Sequence, residues 1–337
     1  MSGPIFDKKN VLVAGGAGFI GSFLCDALVA NAKVICVDTF VSGSHANIEH
    51  LLRNPNFVFI KHDMNTPIDC EAFPELERFK IKFQGVQEIY NLACPTSPKN
   101  FMEQRIETLR ANSSAVMYVM ELALKYKAKV VHASSSVVYG PRPTDEKPFV
   151  EEYIGLVDFL SQRACYDEGK RFAETVVETY RDFYRLDARI ARLFRVYGPR
   201  MPLREGHMIP DFVTAALDGQ PLTIYGDKDF KTSLCYVTDI VDGLVKLMEV
   251  PAYTNPVNLG SDTDLLLADV ANKIITATQS TSKVEFADPL LFMTPLGLPD
   301  IRRAKDELGW LPIVGLDRGL KETIDYTMAM KGLKQTT

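Results

Sequence analysis

The 337 residues are 46 % hydrophobic and 24 % charged, with a formal net charge of -5, an ordinary globular composition long enough for two lobes around one cleft. The mild acidic excess argues against nonspecific binding to nucleic acid or anionic membrane. No run of eighteen apolar residues would span a bilayer and the opening Met1 to Asp7 lacks a signal peptide's apolar centre, so the expected setting is cytoplasmic, with no membrane partner.

The first predicted strand is Val11-Leu12-Val13-Ala14, followed by the turn Gly15-Gly16-Ala17-Gly18-Phe19-Ile20-Gly21 and a helix over 19–30. The next apolar run, Val34-Ile35-Cys36-Val37, ends at Asp38. A strand, a glycine turn and a helix start surround a pyrophosphate with backbone N–H groups, and a carboxylate past the second strand accepts the ribose hydroxyls. The spacing is G-x-x-G-x-x-G and not G-x-G-x-x-G, so the fingerprint is met approximately. Asp38 favours NAD over NADP, whose extra phosphate it would repel.

Further strands are predicted at 57–60, 86–90 and 129–133, with a helix at 104–126; the alternation predicts parallel strands with right-handed crossovers. After Val137-Val138-Tyr139-Gly140-Pro141 the Pro-rich, acidic segment 141–152 is expected to cross the cleft mouth. A long amphipathic helix is predicted at 161–184, a strand at 187–194 and a turn at 197–200. Helix 209–217, strand 222–225, the segment 257–260 and helices 265–278 and 317–328 form the expected smaller lobe. The predicted fold class is α/β, a Rossmann-type doubly wound parallel sheet with a smaller mixed α/β substrate-binding lobe. Residues 1–195 mainly form the first domain and 196–337 the second, with exchanged segments allowed.

Tyr166 and Lys170 lie four apart, on one helix face. An ammonium there lowers the phenol pKa and makes Tyr166 a base for an alcohol proton; Lys170 also reaches a cofactor ribose. Such a pair arises often by accident on amphipathic helices, and its weight comes from the glycine turn upstream. Ser134-Ser135-Ser136 ends a strand pointing into the same crevice. Ser135 is the first choice to hold the reacting alcohol and Ser136 the second; read alone, the triplet is a turn cap. No G-x-S-x-G elbow is present. Six scattered cysteines and five histidines form no zinc or redox spacing, so reduced thiols and no metal are expected.

Together Gly15–Gly21, Asp38, His62-Asp63, Asn91-Leu92-Ala93, Tyr166-x-x-x-Lys170, Tyr197-Gly198-Pro199-Arg200, Cys235-Tyr236-Val237 and Leu308-Gly309-Trp310 resemble the extended short-chain dehydrogenase/reductase family of nucleotide-sugar epimerases and dehydratases. Leu92 to Pro98, Ala164 to Arg171 and Gly219 to Gly226 look most like its UDP-glucuronate decarboxylase branch. The resemblance implies NAD in the first lobe and a nucleoside-diphosphate sugar in the second. It also implies a homodimer paired through helices 104–125 and 163–184. By the same resemblance Gly15, Gly18, Phe19, Ile20, Gly21, Asp38, Asp63, Met64, Leu92, Ala93, Pro95, Ser134, Tyr166 and Lys170 contact the cofactor. Arg195, Arg200, His207, Tyr225 and Lys231 are the substrate-binding candidates.

The sequence departs from that branch in charge. Val137 stands where a catalytic Glu is found, and no Arg precedes Pro299-Asp300-Ile301. Arg195 replaces an Asn common among relatives, Thr232 an Arg beside Lys231, and His207 another Arg. The reading is an enzyme working through C4 oxidation, decarboxylase-like, with a 4-epimerase or C4 dehydrogenase as alternatives. A 4,6-dehydratase is disfavoured because Ser136-Val137 lacks the required carboxylates. A noncatalytic sugar-binding protein would not need Tyr166 and Lys170.

Overall fold

The computed structural model describes residues 8–251, 253, 255–289 and 296–335; residues 1–7, used in the reading above, lie outside them. The strands β1 (Asn10–Ala14), β2 (Lys33–Asp38), β3 (Phe57–Lys61), β4 (Glu88–Asn91), β5 (Lys129–Ser135) and β6 (Ala188–Leu193) form the main sheet with an edge strand, Val257–Leu259. Its order is Val257–Leu259, β6, β5, β4, β1, β2, β3, and every pairing is parallel. Helices cover both faces, which is why β1 is buried along its whole length rather than alternating. The strand order reverses between β1 and β4, so a crevice opens at their carboxyl ends.

The edge strand corrects the expectation that 257–260 belongs to the smaller lobe: Val257–Leu259 pairs with β6. Helix Val237–Glu249 likewise buries Ile240, Leu244 and Leu247 in the core that holds Leu24 and Cys25 of the first helix. Trp310, wholly buried in that core, donates its indole N–H to the Asp239 carbonyl at 2.8 Å. The smaller unit packs helices Met208–Leu217 and Leu267–Ala277 around Leu222–Tyr225, which pairs in parallel with Val284–Ala287.

Three further expectations need correction. The helix predicted at 104–126 breaks into Arg105–Ala111 and Ser114–Tyr126, because Asn112 turns its amide onto the Thr108 carbonyl and the Cys94 sulfur. Leu265–Leu266 is a short strand before its helix starts at Leu267. The segment 141–152 contributes nothing to the lining of the main cleft. Phe149 stacks on Tyr139 and bridges to Pro299, while Arg142 forms a two-pronged pair with Asp264 at 2.6 and 3.0 Å.

Candidate active site

A cleft of about 950 Å³ lies over the carboxyl ends of the strands. Its first wall is the glycine turn. Gly15 adopts a φ of +78°, and a Cβ there would sit 2.9 Å from the Leu92 carbonyl and the Ala93 nitrogen. A Cβ on Gly21 would fall 2.1 Å from the Gly15 carbonyl oxygen. Only glycine lets turn, helix and neighbouring strand end approach this closely. Helix Phe19–Leu28 begins here with neither a side-chain cap nor an acidic first-turn residue. Its positive end therefore faces the cleft with no acidic side chain of its own first turn, as a pyrophosphate site favours.

Asp38 ends β2 in the same cleft and accepts from Ala17 N at 3.0 Å and Phe40 N at 2.8 Å. Burial raises its pKa above the ordinary value, against the backbone N–H groups that lower it. Asp63, Met64, Leu92, Ala93 and Pro95 line the adjoining wall, together with Gly18, Phe19 and Ile20. The cradle, the uncapped helix end and a carboxylate at the second strand fit a dinucleotide.

The chemical groups gather at the end of β5. Tyr166, on helix Ala164–Tyr184, shares a hydrogen bond with the Ser135 side chain. Lys170 Nζ donates to the Ala133 carbonyl at 2.9 Å and stands 5.8 Å from the Tyr166 ring centre. The expected fall in the Tyr166 pKa is not found. Burial pushes it up, the Cys94 thiol adds to the rise, and the Ser135 hydrogen bond opposes it. Lys170 spends its ammonium on a backbone carbonyl, and the phenol sits in an apolar cluster with Val137, Cys94 and Leu296. Val137 is thus a wall, where a carboxylate had been the comparison. Ser136 is buried in the cleft lining, and Ser134 donates to Glu174 at 2.5 Å.

The substrate candidates divide. Arg195, His207 and Tyr225 line the cleft. Arg200 does not: it pairs with Asp26 at 2.7 Å and lies 4.3 Å over the Phe23 ring, on the flank of the first helix. Lys231 is also outside the lining, 3.8 Å from both Glu146 and Asp264. Both are corrections with one cause, since acidic neighbours hold these cations elsewhere. Burial lowers the His207 pKa to about 4, so its imidazole is neutral at pH 7.

Sequence reasoning missed three parts of the site. Arg163 lines the cleft three residues before Tyr166 and is held by Asp167 at 2.9 Å; its i,i+4 spacing to that carboxylate was the available signal. Glu174, behind the cleft and outside its lining, anchors the lining residue Ser134 and takes a forked pair from Arg192, which also donates to the Tyr139 hydroxyl at 2.8 Å. Glu205 places a buried carboxylate oxygen without a hydrogen-bond partner in the cleft lining. Neither of the last two has a local sequence signature.

A glycine cradle joined to a tyrosine, serine and lysine set defines a dinucleotide-dependent oxidoreductase site. Residues 11–260 match the model of the NAD dependent epimerase/dehydratase family. UDP-glucuronic acid decarboxylase 1 of Xenopus tropicalis is 38 % identical over 321 residues, covering 95 % of this chain and 72 % of that protein. The crystal structure of dTDP-glucose 4,6-dehydratase from Bacillus anthracis in complex with NAD is 26 % identical with a TM-score of 0.81, covering 96 % and 98 % of the two chains. UDP-glucuronic acid 4-epimerase from Bacillus cereus, solved with UDP-glucuronic acid and NAD, is 25 % identical with a TM-score of 0.82, covering 95 % and 99 %. The chain belongs to the NAD-dependent epimerase/dehydratase family. It is an enzyme with NAD as its cofactor, and among the described residues no helix is long and apolar enough to cross a membrane.

Proposed function

We propose that this enzyme converts UDP-glucuronate to a UDP-pentose by decarboxylation after oxidation at sugar C4. The observation that carries the reading is the Tyr166–Ser135 hydrogen bond at the carboxyl end of β5, in the same cleft as the glycine cradle. NAD, when bound, supplies the acceptor that takes a hydride from the sugar and later returns it. Tyr166 takes the O4 proton, and Ser135, donating to O4, holds the negative charge that gathers there as the C5–C6 bond breaks and CO2 leaves; C5 then takes a proton from water, and Tyr166 returns its proton to O4 as the C4 ketone is reduced. Lys170 holds the helix against β5 through the Ala133 carbonyl. Val137 and Leu296 keep that face of Tyr166 dry. Asp38 takes the adenosine ribose, and Asp63 and Met64 the adenine. The similarity to the Xenopus decarboxylase supports the choice of sugar.

Val137 favours one second reading. With an apolar side chain beside Tyr166, no carboxyl at that position delivers a proton to C5, and 4-epimerisation needs none. The exposed Ile106, Leu109 and Phe172, on helices Arg105–Ala111 and Ala164–Tyr184, support a homodimer through those helices, testable by sedimentation. Six free cysteines support a cytoplasmic setting.

The test is incubation of purified protein with UDP-glucuronate, with and without added NAD, followed by mass spectrometry and proton NMR. A UDP-pentose with released CO2 is the expected result. A product of unchanged mass inverted at C4 replaces decarboxylation by epimerisation. Absence of turnover with NAD bound overturns both.

A further inference from the structure

Arg195 lies two residues beyond Leu193, whose register partner across the parallel pair is Ser135. With strands about 4.8 Å apart and a rise of about 3.3 Å per residue, its backbone stands one side chain's reach from the Ser135–Tyr166 pair. Arg195 lines the cleft, and its Nε is buried without a hydrogen-bond partner. The other cations of the described lining are accounted for. Arg163 has Asp167, Lys170 has the Ala133 carbonyl, Arg204 has Asp218 at 3.7 Å, and Lys99 is exposed. No carboxylate of the described residues pairs with Arg195. Burial, and then the charge of Arg163, lower its pKa to about 10, so it stays a cation at pH 7. A buried guanidinium without a counterion is costly, and the cost is recovered when an anion with matching fork geometry enters.

We infer that Arg195 reads the carboxylate of a hexuronate, so that the cleft selects acidic nucleotide sugars over neutral ones. The assignment rests on the proposed action of Tyr166 at C4. On a hexose the C6 carboxylate hangs from C5, next to C4, whereas the C1 diphosphate lies across the ring. An anion within reach of both Arg195 and the Tyr166–Ser135 pair is therefore the carboxylate. Neutral sugar hydroxyls would leave the charge uncompensated.

Titration calorimetry with NAD-saturated protein tests this in a Tyr166→Phe background, which holds UDP-glucuronate while suppressing its turnover, using UDP, UDP-glucose and UDP-glucuronate against the chain with Arg195 intact, Arg195→Gln and Arg195→Lys. Arg195→Gln is expected to weaken UDP-glucuronate about 30-fold or more, to leave UDP and UDP-glucose within about twofold, and to be partly rescued by Arg195→Lys. In thermal melts without nucleotide sugar, Arg195→Gln should unfold no lower than the native chain, since it removes an unpaired buried charge. An equal loss for all three ligands would make Arg195 a diphosphate contact and overturn the inference, as would no loss for any of them. If Arg195→Gln fails to fold, the native preference for UDP-glucuronate over UDP-glucose and its weakening in Arg195→Lys decide the matter. Selective carboxylate binding with no product from UDP-glucuronate in the native chain refutes the reaction and leaves Arg195 standing; product formation without that selectivity does the reverse.

Discussion

The two halves of the cleft are made of different material. The cofactor half is largely main chain: strand ends, a glycine turn that has no room for a Cβ at Gly15 or Gly21 and an uncapped helix start, with Asp38 fixed by two backbone N–H groups. The sugar half is made of side chains, most of them carried by connections, as Arg195, Glu205, His207 and Leu296 are, with Tyr225 at the end of a short strand. Main-chain geometry survives exchange of side chains, whereas each exchange in the other half changes a charge or a donor. On the proposed function, one half keeps the family's cofactor while the other sets sugar and reaction.

The strongest way to break this comparison is Tyr166→Phe, which deletes one oxygen from the sugar half. Turnover should fall about 10² to 10⁴-fold, while NAD affinity, followed by fluorescence titration, stays within about twofold. Unchanged turnover would remove Tyr166 from the chemistry, and a large loss of NAD affinity would show that the halves are not separable. The reciprocal cut is Gly21→Ala. Its Cβ would meet the Gly15 carbonyl oxygen at 2.1 Å, so helix and turn must part. NAD affinity should drop about tenfold or more, and stability by about 1–3 kcal/mol in urea unfolding. Native NAD affinity in this variant would mean that the close approach is not what shapes the cofactor half.

Legibility in the sequence followed the same division. The main strands were readable because a parallel sheet covered on both faces demands continuous apolar runs, as in Val11 to Ala14 and Val34 to Val37. The glycine turn and Asp38 were readable because main-chain sites leave fixed spacings. The placement of Val257–Leu259 was not, because a three-residue strand carries no signal of its partner and β6 is more than sixty residues upstream. Arg200 and Lys231 looked like substrate contacts because sequence records a cation but not the carboxylate that reaches it, here Asp26 from 174 residues away and Glu146 and Asp264. The rise in the Tyr166 pKa was equally hidden, since it comes from burial among Val137, Cys94 and Leu296, three separate segments.

The smallest expected effect sharpens the comparison through pH. His207 belongs to the sugar half, and burial alone lowers its pKa from the ordinary 6.5 to about 4. Between those values the unfolded chain holds a proton on this imidazole that the folded chain refuses. Stability therefore rises with pH across the window and is lost as pH falls from about 6.5 toward about 4, by at most about 1.4 kcal/mol per pH unit. His207→Gln removes that titration while keeping a neutral polar side chain. Its urea midpoint relative to the native chain should accordingly improve between pH 7.5 and pH 5, and NAD affinity should not change over the same range. If the difference between the two proteins is the same at both pH values, His207 is solvated rather than buried. Its charge at acid pH would then be available to a substrate anion, and the sugar half would carry a pH-dependent cation beside the permanent one at Arg195.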